Sequence, residues 1–221
     1  PADEIVVTSG ALEALTLCLQ TVTRPGDTVA IEAPAFYACL QAIEAWGLRA
    51  VEIPTHPREG IDLGALEQAI VKHNVRACWV MTTFQNPLGA SLPEEKKRDL
   101  VQLLAGHEIP LIEDDVYAEL HFDQHRPKPA KAFDRKGLVL NCGSFSKCLA
   151  PGYRLGWTAA GRFAPAVQRR KVTTSLATSV PIQNGIAQML RNEGYDRHLE
   201  KLRQALRSQQ AAALASIKQH F

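Results

Sequence analysis

Short runs of mainly apolar residues recur along this chain, and most lead into a stretch with helical spacing. The runs are Ile5–Thr8, Thr28–Glu32, Arg49–Ile53, Ala77–Met81, Ile109–Ile112, Leu138–Cys142 and Arg154–Ala159. Runs of four to six residues with little polar alternation read as strands covered on both faces. Helical patterns cover Ala11–Val22, the stretch after Phe36 to about Trp46, and a segment opened by Asp62 as N-cap. Another has Pro93 in its first turn, where Glu94 and Glu95 suit the positive dipole end. Further helices are predicted over Phe163–Thr174, Pro181–Asn192 and Tyr195 to the end. Strands alternating with helices predict an α/β fold with a mostly parallel sheet sandwiched by helices. Ligands of such sheets bind beyond the carboxyl ends of the strands. Gly10, Asn86, Asp114 and Lys147 each fall just after a strand.

With 221 residues the chain can bury a sizeable core. Its net charge of +2 makes no general case for a nucleic-acid or membrane partner. The five cysteines (Cys18, Cys39, Cys78, Cys142, Cys148) form no CxxC pair and read as reduced core residues of a cytosolic, cytoplasmic protein. No signal peptide and no bilayer-length apolar run is present. Pro1 stands four residues before the first strand, and helical patterning runs up to Phe221, so the chain reads as cut at both ends. There is no internal repeat.

The stretch Gly143–Trp157 sets one lysine apart from the rest. Ser144 and Ser146 precede Lys147, Pro151-Gly152 makes a turn, and Arg154 follows. The turn folds the chain back, so the serines and Arg154 can converge on one anion beside the amine. Ser9-Gly10, joining the first strand to a helix whose leading amides lack internal partners, is a ready anion site; taken alone it reads as a plain strand-to-helix turn, and it gains weight as the phosphate site that Lys147 needs.

Together these motifs resemble the large domain of the fold-type I pyridoxal phosphate enzymes, the class I/II aminotransferase group. The resemblance rests on Thr8-Ser9-Gly10-Ala11-Leu12, Glu32-Ala33-Pro34-Ala35-Phe36, Gln85-Asn86-Pro87-Leu88-Gly89, Asp114-Asp115-Val116-Tyr117, and Ser144-Phe145-Ser146-Lys147 with Arg154, in that order. It spans about Ile5 to Ala160 closely and the remainder loosely. It implies that residues 1–221 are a cofactor-binding large domain, with about 195–221 a helix leading towards a small domain. It implies pyridoxal 5'-phosphate as cofactor, with Lys147 forming the internal Schiff base and later moving the substrate Cα proton. Asp114 would pair with the pyridine nitrogen and keep it charged. Asn86 and Tyr117 would donate to the ring 3-oxygen, and Phe36, or else Tyr37, would stack on the ring. The amides of Gly10, Ala11 and Leu12, with Ser144, Ser146 and Arg154, would hold the phosphate. Lys147, Asp114 and Tyr117 are thus the candidate catalytic residues. The Asn86–Pro87 peptide is expected to be cis.

Two kinds of protein share these motifs. One is a free-standing amino-acid aminotransferase of aminoadipate or aromatic type. The other is the aminotransferase-like effector domain of MocR-type transcription regulators of the GntR family, where an N-terminal winged helix carries the DNA contact. The wording of residues 8–15, 36–43 and 112–120 looks more like the regulators. Either kind implies a homodimer and an amino-acid or pyridoxal phosphate ligand. The arginine that grips a substrate carboxylate would lie beyond Phe221.

Other residues have plainer readings. Asp115 is expected to cap a helix. The plainer alternative for Tyr117 is a core aromatic with a satisfied hydroxyl. His121 and His125 are spaced as a metal pair but lie in loop-like sequence. Arg162, Arg169, Arg170 and Lys171 read as a solvated face, not a nucleic-acid patch.

Overall fold

The structure is a computed structural model that describes residues 1–220. Eight strands form one sheet: β1 (Ile5–Thr8), β2 (Thr28–Ala33), β3 (Arg49–His56), β4 (Gly60–Ile61), β5 (Val75–Val80), β6 (Leu111–Asp114), β7 (Val139–Ser144) and β8 (Gly156–Ala159). Their order is β1-β8-β7-β6-β5-β2-β3-β4. The central strands β3, β2, β5, β6 and β7 pair in parallel, whereas β8 runs antiparallel to both β7 and β1, and β4 antiparallel to β3. Among the described residues seven α-helices accompany them: α1 (Ala11–Val22), α2 (Tyr37–Ala45), α3 (Leu63–His73), α4 (Glu94–Gly106), α5 (Ala164–Thr174), α6 (Val180–Arg191) and α7 (Gly194–His220).

The side chains alternate along β2, β5, β6 and β7, and both sets are mostly buried. Val29, Ile31, Trp79, Ile112 and Leu140 face one way and pack with Leu15 and Leu19 of α1 and Val167 of α5. Ala30, Cys78, Val80, Leu111 and Val139 face the other way, against Leu66 and Ile70 of α3 and Leu100 and Leu104 of α4. Two covered faces explain why these strands read as unbroken apolar runs. A third cluster joins Phe145, Cys148 and Leu155 to Ile186 of α6 and to Tyr195 and Leu199 of α7. It ties the lysine-bearing loop to the last two helices.

The strand expectations hold to within two or three residues, and the departures have local causes. β8 starts at Gly156, because Pro151–Tyr153 form a 3-10 turn and Arg154 takes a left-handed conformation, φ 46°. β3 runs past Ile53 because it folds back on β4, a two-residue strand with no apolar run of its own. β6 begins later than expected, after Pro110, whose carbonyl accepts from the Cys78 amide. Asp62 caps α3 through the Ala65 amide at 3.0 Å, as expected. Pro93 sits at the N-cap of α4, one position before its first turn. The final helix ends at His220 among the described residues, and Phe221 lies outside them.

Two side-chain expectations are corrected. Asp115 caps no helix: a 3-10 turn follows it, and its Oδ2 accepts from Arg126 Nη2 at 2.7 Å. The basic run is a solvated face only in part, with Arg162 and Arg169 exposed as expected. Lys171 is buried, 3.8 Å from Glu13, Arg170 lies over the Trp46 ring, and Arg162 pairs with Glu108 at 3.2 Å.

Two features set the sheet edge that carries the polar loops. Glu113 is fully buried at the end of β6. Its carboxyl accepts from Thr82 Oγ1 at 2.5 Å, the Ala130 amide at 2.6 Å, the Lys131 amide at 3.1 Å and Asn141 Nδ2 at 3.0 Å. It joins the loops after β5 and before β7 to the sheet. At Gly156 a Cβ would stand 2.6 Å from the Gly10 carbonyl carbon and 2.9 Å from the Ala11 amide, so only glycine lets α1 start against β8.

Glu113→Ala strands buried donors and is expected to cost about 3 kcal/mol or more, with a smaller loss for Glu113→Gln. Urea unfolding would show it, and a loss below about 1 kcal/mol would mean the hub is dispensable. Gly156→Ala should cost about 2 kcal/mol by overpacking backbone against backbone. An unchanged urea midpoint would show that this edge yields freely.

Candidate functional site

Chain order reverses between β2 and β5: β3 lies outward from β2, and β5, β6 and β7 run the other way. The reversal leaves a crevice beyond the carboxyl ends of these strands. A cavity of about 380 Å³ lies there. Ten of the eleven residues singled out from the sequence line it: Ala11, Leu12, Phe36, Asn86, Asp114, Tyr117, Ser144, Ser146, Lys147 and Arg154. Gly10 adjoins it behind Arg154, because a Cβ there would lie 2.5 Å from Arg154 Nη2.

Each group arrives on its own element. β7 delivers Ser144 and the turn with Ser146 and Lys147. Arg154 returns across the Pro151-Gly152 turn, donating from Nη1 to Ser146 Oγ at 3.3 Å and from Nη2 to the Ser9 carbonyl at 3.2 Å. The guanidinium is thereby held over the first turn of α1. The Ser146 amide donates to Ser144 Oγ at 3.3 Å. Hydroxyls, a guanidinium and a helix N-terminus converge here, which is the chemistry of an anion cradle. Lys147 is exposed, with Nζ 5.7 Å from the centre of the Tyr117 ring and no ion pair among the described residues.

Asp114 brings a buried carboxyl to the same cavity. Burial pushes the Asp114 carboxyl up to about 7, helped by neighbouring Glu113 and opposed by the Val116 amide and by Lys147. Phe36 is half-buried, with Tyr37 tilted against it at 4.8 Å between centroids; Tyr37 itself is 67% exposed. The Asn86–Pro87 peptide is cis, and so is Ala33–Pro34. The Asn86 amide lies 3.4 Å from Met81 Sδ.

Several participants carried no assigned role in the sequence reading. Met81, Leu15, Val116 and Pro151 complete the lining. Glu32, at the end of β2, is buried; its Oε2 accepts from the Met81 amide at 2.8 Å and its Oε1 has no partner among the described residues. Burial and the nearby Asp114 push it up to about 8. An acid closing an apolar strand was the available signal. Lys97 is also buried, donating to Thr83 Oγ1 at 2.7 Å and to the Lys128 carbonyl at 2.8 Å beneath the 82–89 loop.

The histidine pair does not assemble. His121 is buried with Nδ1 2.9 Å from the Asp123 carbonyl, and His125 is exposed. No group of three potential metal ligands occurs among the described residues. All five cysteines are buried free thiols. No described helix is long and apolar enough to cross a membrane.

Comparison with known proteins identifies the family. The family profile "Aminotransferase class I and II" matches residues 1–219. The HTH-type transcriptional regulator YdcR of Escherichia coli K12 is 50% identical over 99% of this chain and 47% of its own length. Aromatic-amino-acid aminotransferase 1 of Thermococcus litoralis is 32% identical over 98% of this chain and 53% of its own. The chain thus spans about half the length of the curated relatives it matches. Among solved structures, the α-aminoadipate aminotransferase LysN of Thermus thermophilus, complexed with N-(5'-phosphopyridoxyl)-L-leucine, superimposes with a TM-score of 0.91 at 30% identity. That match covers 98% of this chain and 56% of the other. With a family profile spanning nearly every residue and a fold that superimposes on a solved aminotransferase, the chain belongs to the aminotransferase class I and II family.

Proposed function

We propose that this chain is the pyridoxal phosphate-binding, aminotransferase-like effector domain of a MocR/GntR-type transcription regulator. The observation that carries the regulator reading is the 50% identity to an HTH-type regulator across 99% of the chain, against 32% for the aromatic aminotransferase. In this reading the full protein reaches DNA through a separate helix-turn-helix, works as a cytoplasmic homodimer, and senses an amino acid or the cofactor itself.

The residues around the cavity fit the cofactor's chemistry. The cradle of Ser144, Ser146, Arg154 and the leading amides of α1 suits a phosphate, and the close approach of Arg154 to Gly10 leaves no room for a side chain there. When bound, pyridoxal phosphate supplies an electron-accepting ring that makes the Cα proton of an attached amino acid acidic. Lys147 is the amine that would hold the aldehyde carbon and, once free of it, take the proton from that Cα. Asp114, as a carboxylate, would pair with the ring nitrogen in a setting shielded from water. Asn86 and Tyr117 would donate to the ring 3-oxygen, and Phe36, the more buried of the two candidate aromatics, would cover a ring face.

A second reading, a free-standing amino-acid aminotransferase, is favoured by one observation. The amine, the buried carboxylate and the anion cradle are all retained around one cavity. Full-length protein loaded with cofactor and offered single amino acids separates the two. Rapid release of a 2-oxo acid supports the enzyme. A ligand-induced absorbance change without turnover, together with an amino-acid-dependent change in DNA affinity, supports the regulator.

Lys147→Ala in the full-length protein is expected to abolish the cofactor adduct fixed by borohydride; a wild-type amount of adduct would overturn the assignment. Asp114 yields a pH prediction. Its folded value of about 7 exceeds the ordinary 3.8, so the ligand-free fold holds a proton that the unfolded chain releases in between. Stability of the ligand-free protein therefore falls as pH rises from about 4 through about 7. Asp114→Asn should raise ligand-free stability at pH 8 by more than about 1 kcal/mol, change little near pH 4, and weaken cofactor retention. A variant no more stable than wild type at pH 8 contradicts this.

A further inference from the structure

Asp115 directly follows Asp114 and does not line the cavity. Its amide donates to the Cys142 carbonyl at 2.9 Å, adding one rung to the β6–β7 ladder and pinning the backbone just beyond Asp114. Its side chain is only 2% exposed. Oδ2 accepts from Arg126 Nη2 at 2.7 Å, while Oδ1 has no hydrogen-bond partner among the described residues. Arg126 is the cation bonded to the Asp115 carboxyl, and Lys97 acts on it from further away. Removing Arg126 leaves a buried acid without its bonded partner, the costly way to break such a pair.

Arg126 does not stop at Asp115. Its Nε lies 3.0 Å from Glu119 Oε1, so the planar fork spans two carboxylates at once. Glu119 in turn meets α7: Arg203 donates from Nε to the Glu119 carbonyl at 2.7 Å and from Nη2 to Oε2 at 3.2 Å. The result is an unbroken chain, Asp115–Arg126–Glu119–Arg203, from the strand end that carries Asp114 to α7. None of the four lines the cavity. The same helix also grips the lysine loop, where Tyr195 Oη lies 3.0 Å from Cys148 Sγ and His198 Nε2 lies 3.0 Å from the Cys148 carbonyl. Cys148 is the residue after Lys147. One helix thus touches both halves of the site.

We infer that Arg126 is a positioning residue for Asp114, acting through Asp115, and that Glu119 and Arg203 link that position to α7. This rests on the reading that Asp114 pairs with the cofactor ring. A shift of α7 is transmitted through charged contacts to the carboxylate end of the site, and through Cys148 to the lysine end. Isolated exposed ion pairs contribute little, but here the first member is buried and the three pairs share partners.

The test is a pyridoxal phosphate titration of the full-length protein, followed by absorbance, for wild type and for Arg126→Met, Arg126→Lys, Arg203→Met and the Arg126→Met/Arg203→Met double variant. Arg126→Met is expected to raise Kd about tenfold, while Arg126→Lys, which keeps the charge on Asp115 but cannot fork to Glu119, stays within about threefold of wild type. Arg203→Met should weaken binding less, and the double variant should be no weaker than Arg126→Met alone, because the chain is already broken. If Arg126→Met does not fold, Glu119→Gln must raise Kd in the same direction. Unchanged Kd in Arg126→Met, or no recovery with lysine, overturns the positioning role. A double variant whose effect is the product of the two single ones overturns the link to α7. Wild-type protein that takes up no cofactor overturns the reading of the site itself, whereas wild-type uptake with unchanged variants overturns the relay alone.

Discussion

A carboxyl group sealed from water holds the functional edge of this sheet together. Glu113 accepts from a hydroxyl, two amides and a carboxamide, and those donors come from three different segments. Its partners hold the loop after β5 and the approach to β7 in one arrangement. Asp114 and Asp115 then leave the strand with fixed and different surroundings: one lines the cavity, the other turns to Arg126. Two adjacent carboxylates acquire separate tasks through environment alone, because burial, one amide and one guanidinium act on them unequally. The arrangement is expensive in electrostatic terms. Buried acids at the ends of β2 and β6 oppose charging of one another, and the ligand-free fold relieves this by holding protons.

The sheet was legible in the sequence because its central strands are covered on both faces. Val29 to Ile31, Ala77 to Val80 and Val139 to Cys142 need no polar alternation, and continuous apolar runs mark them. What such runs do not encode is direction. The reversal at β8 follows from a turn at Pro151–Tyr153 and from glycines that admit a close backbone, not from hydrophobicity. β4 escaped notice because two residues make no pattern.

The site residues were legible for a related reason. Each stands just past an apolar run, so their convergence follows once the strands are parallel. The partners of those residues were not legible. Arg126 lies eleven residues from Asp115, in sequence that reads as a loop, and the local rule that acids open helices suggested a cap instead. Lys171 looked solvated beside Arg169 and Arg170 on a helix, yet α1 covers it and brings Glu13 near. Both pairings are decided by packing between distant segments, which local spacing does not contain.

The anchoring of α7 is uneven along its length. Tyr195 and Leu199 are buried, Arg203 and Arg207 reach the segment 119–122, and residues 211–220 are exposed throughout. Such a helix is a lever with its fulcrum at the lysine loop. From Leu199 to His220 it extends about 31 Å, so a tilt of about 5° at the fulcrum swings the far end by roughly 3 Å. Read in reverse, a displacement of several ångströms at the outer end arrives at Cys148 and Glu119 geared down to a fraction of an ångström. That is the scale on which hydrogen bonds strengthen or fail.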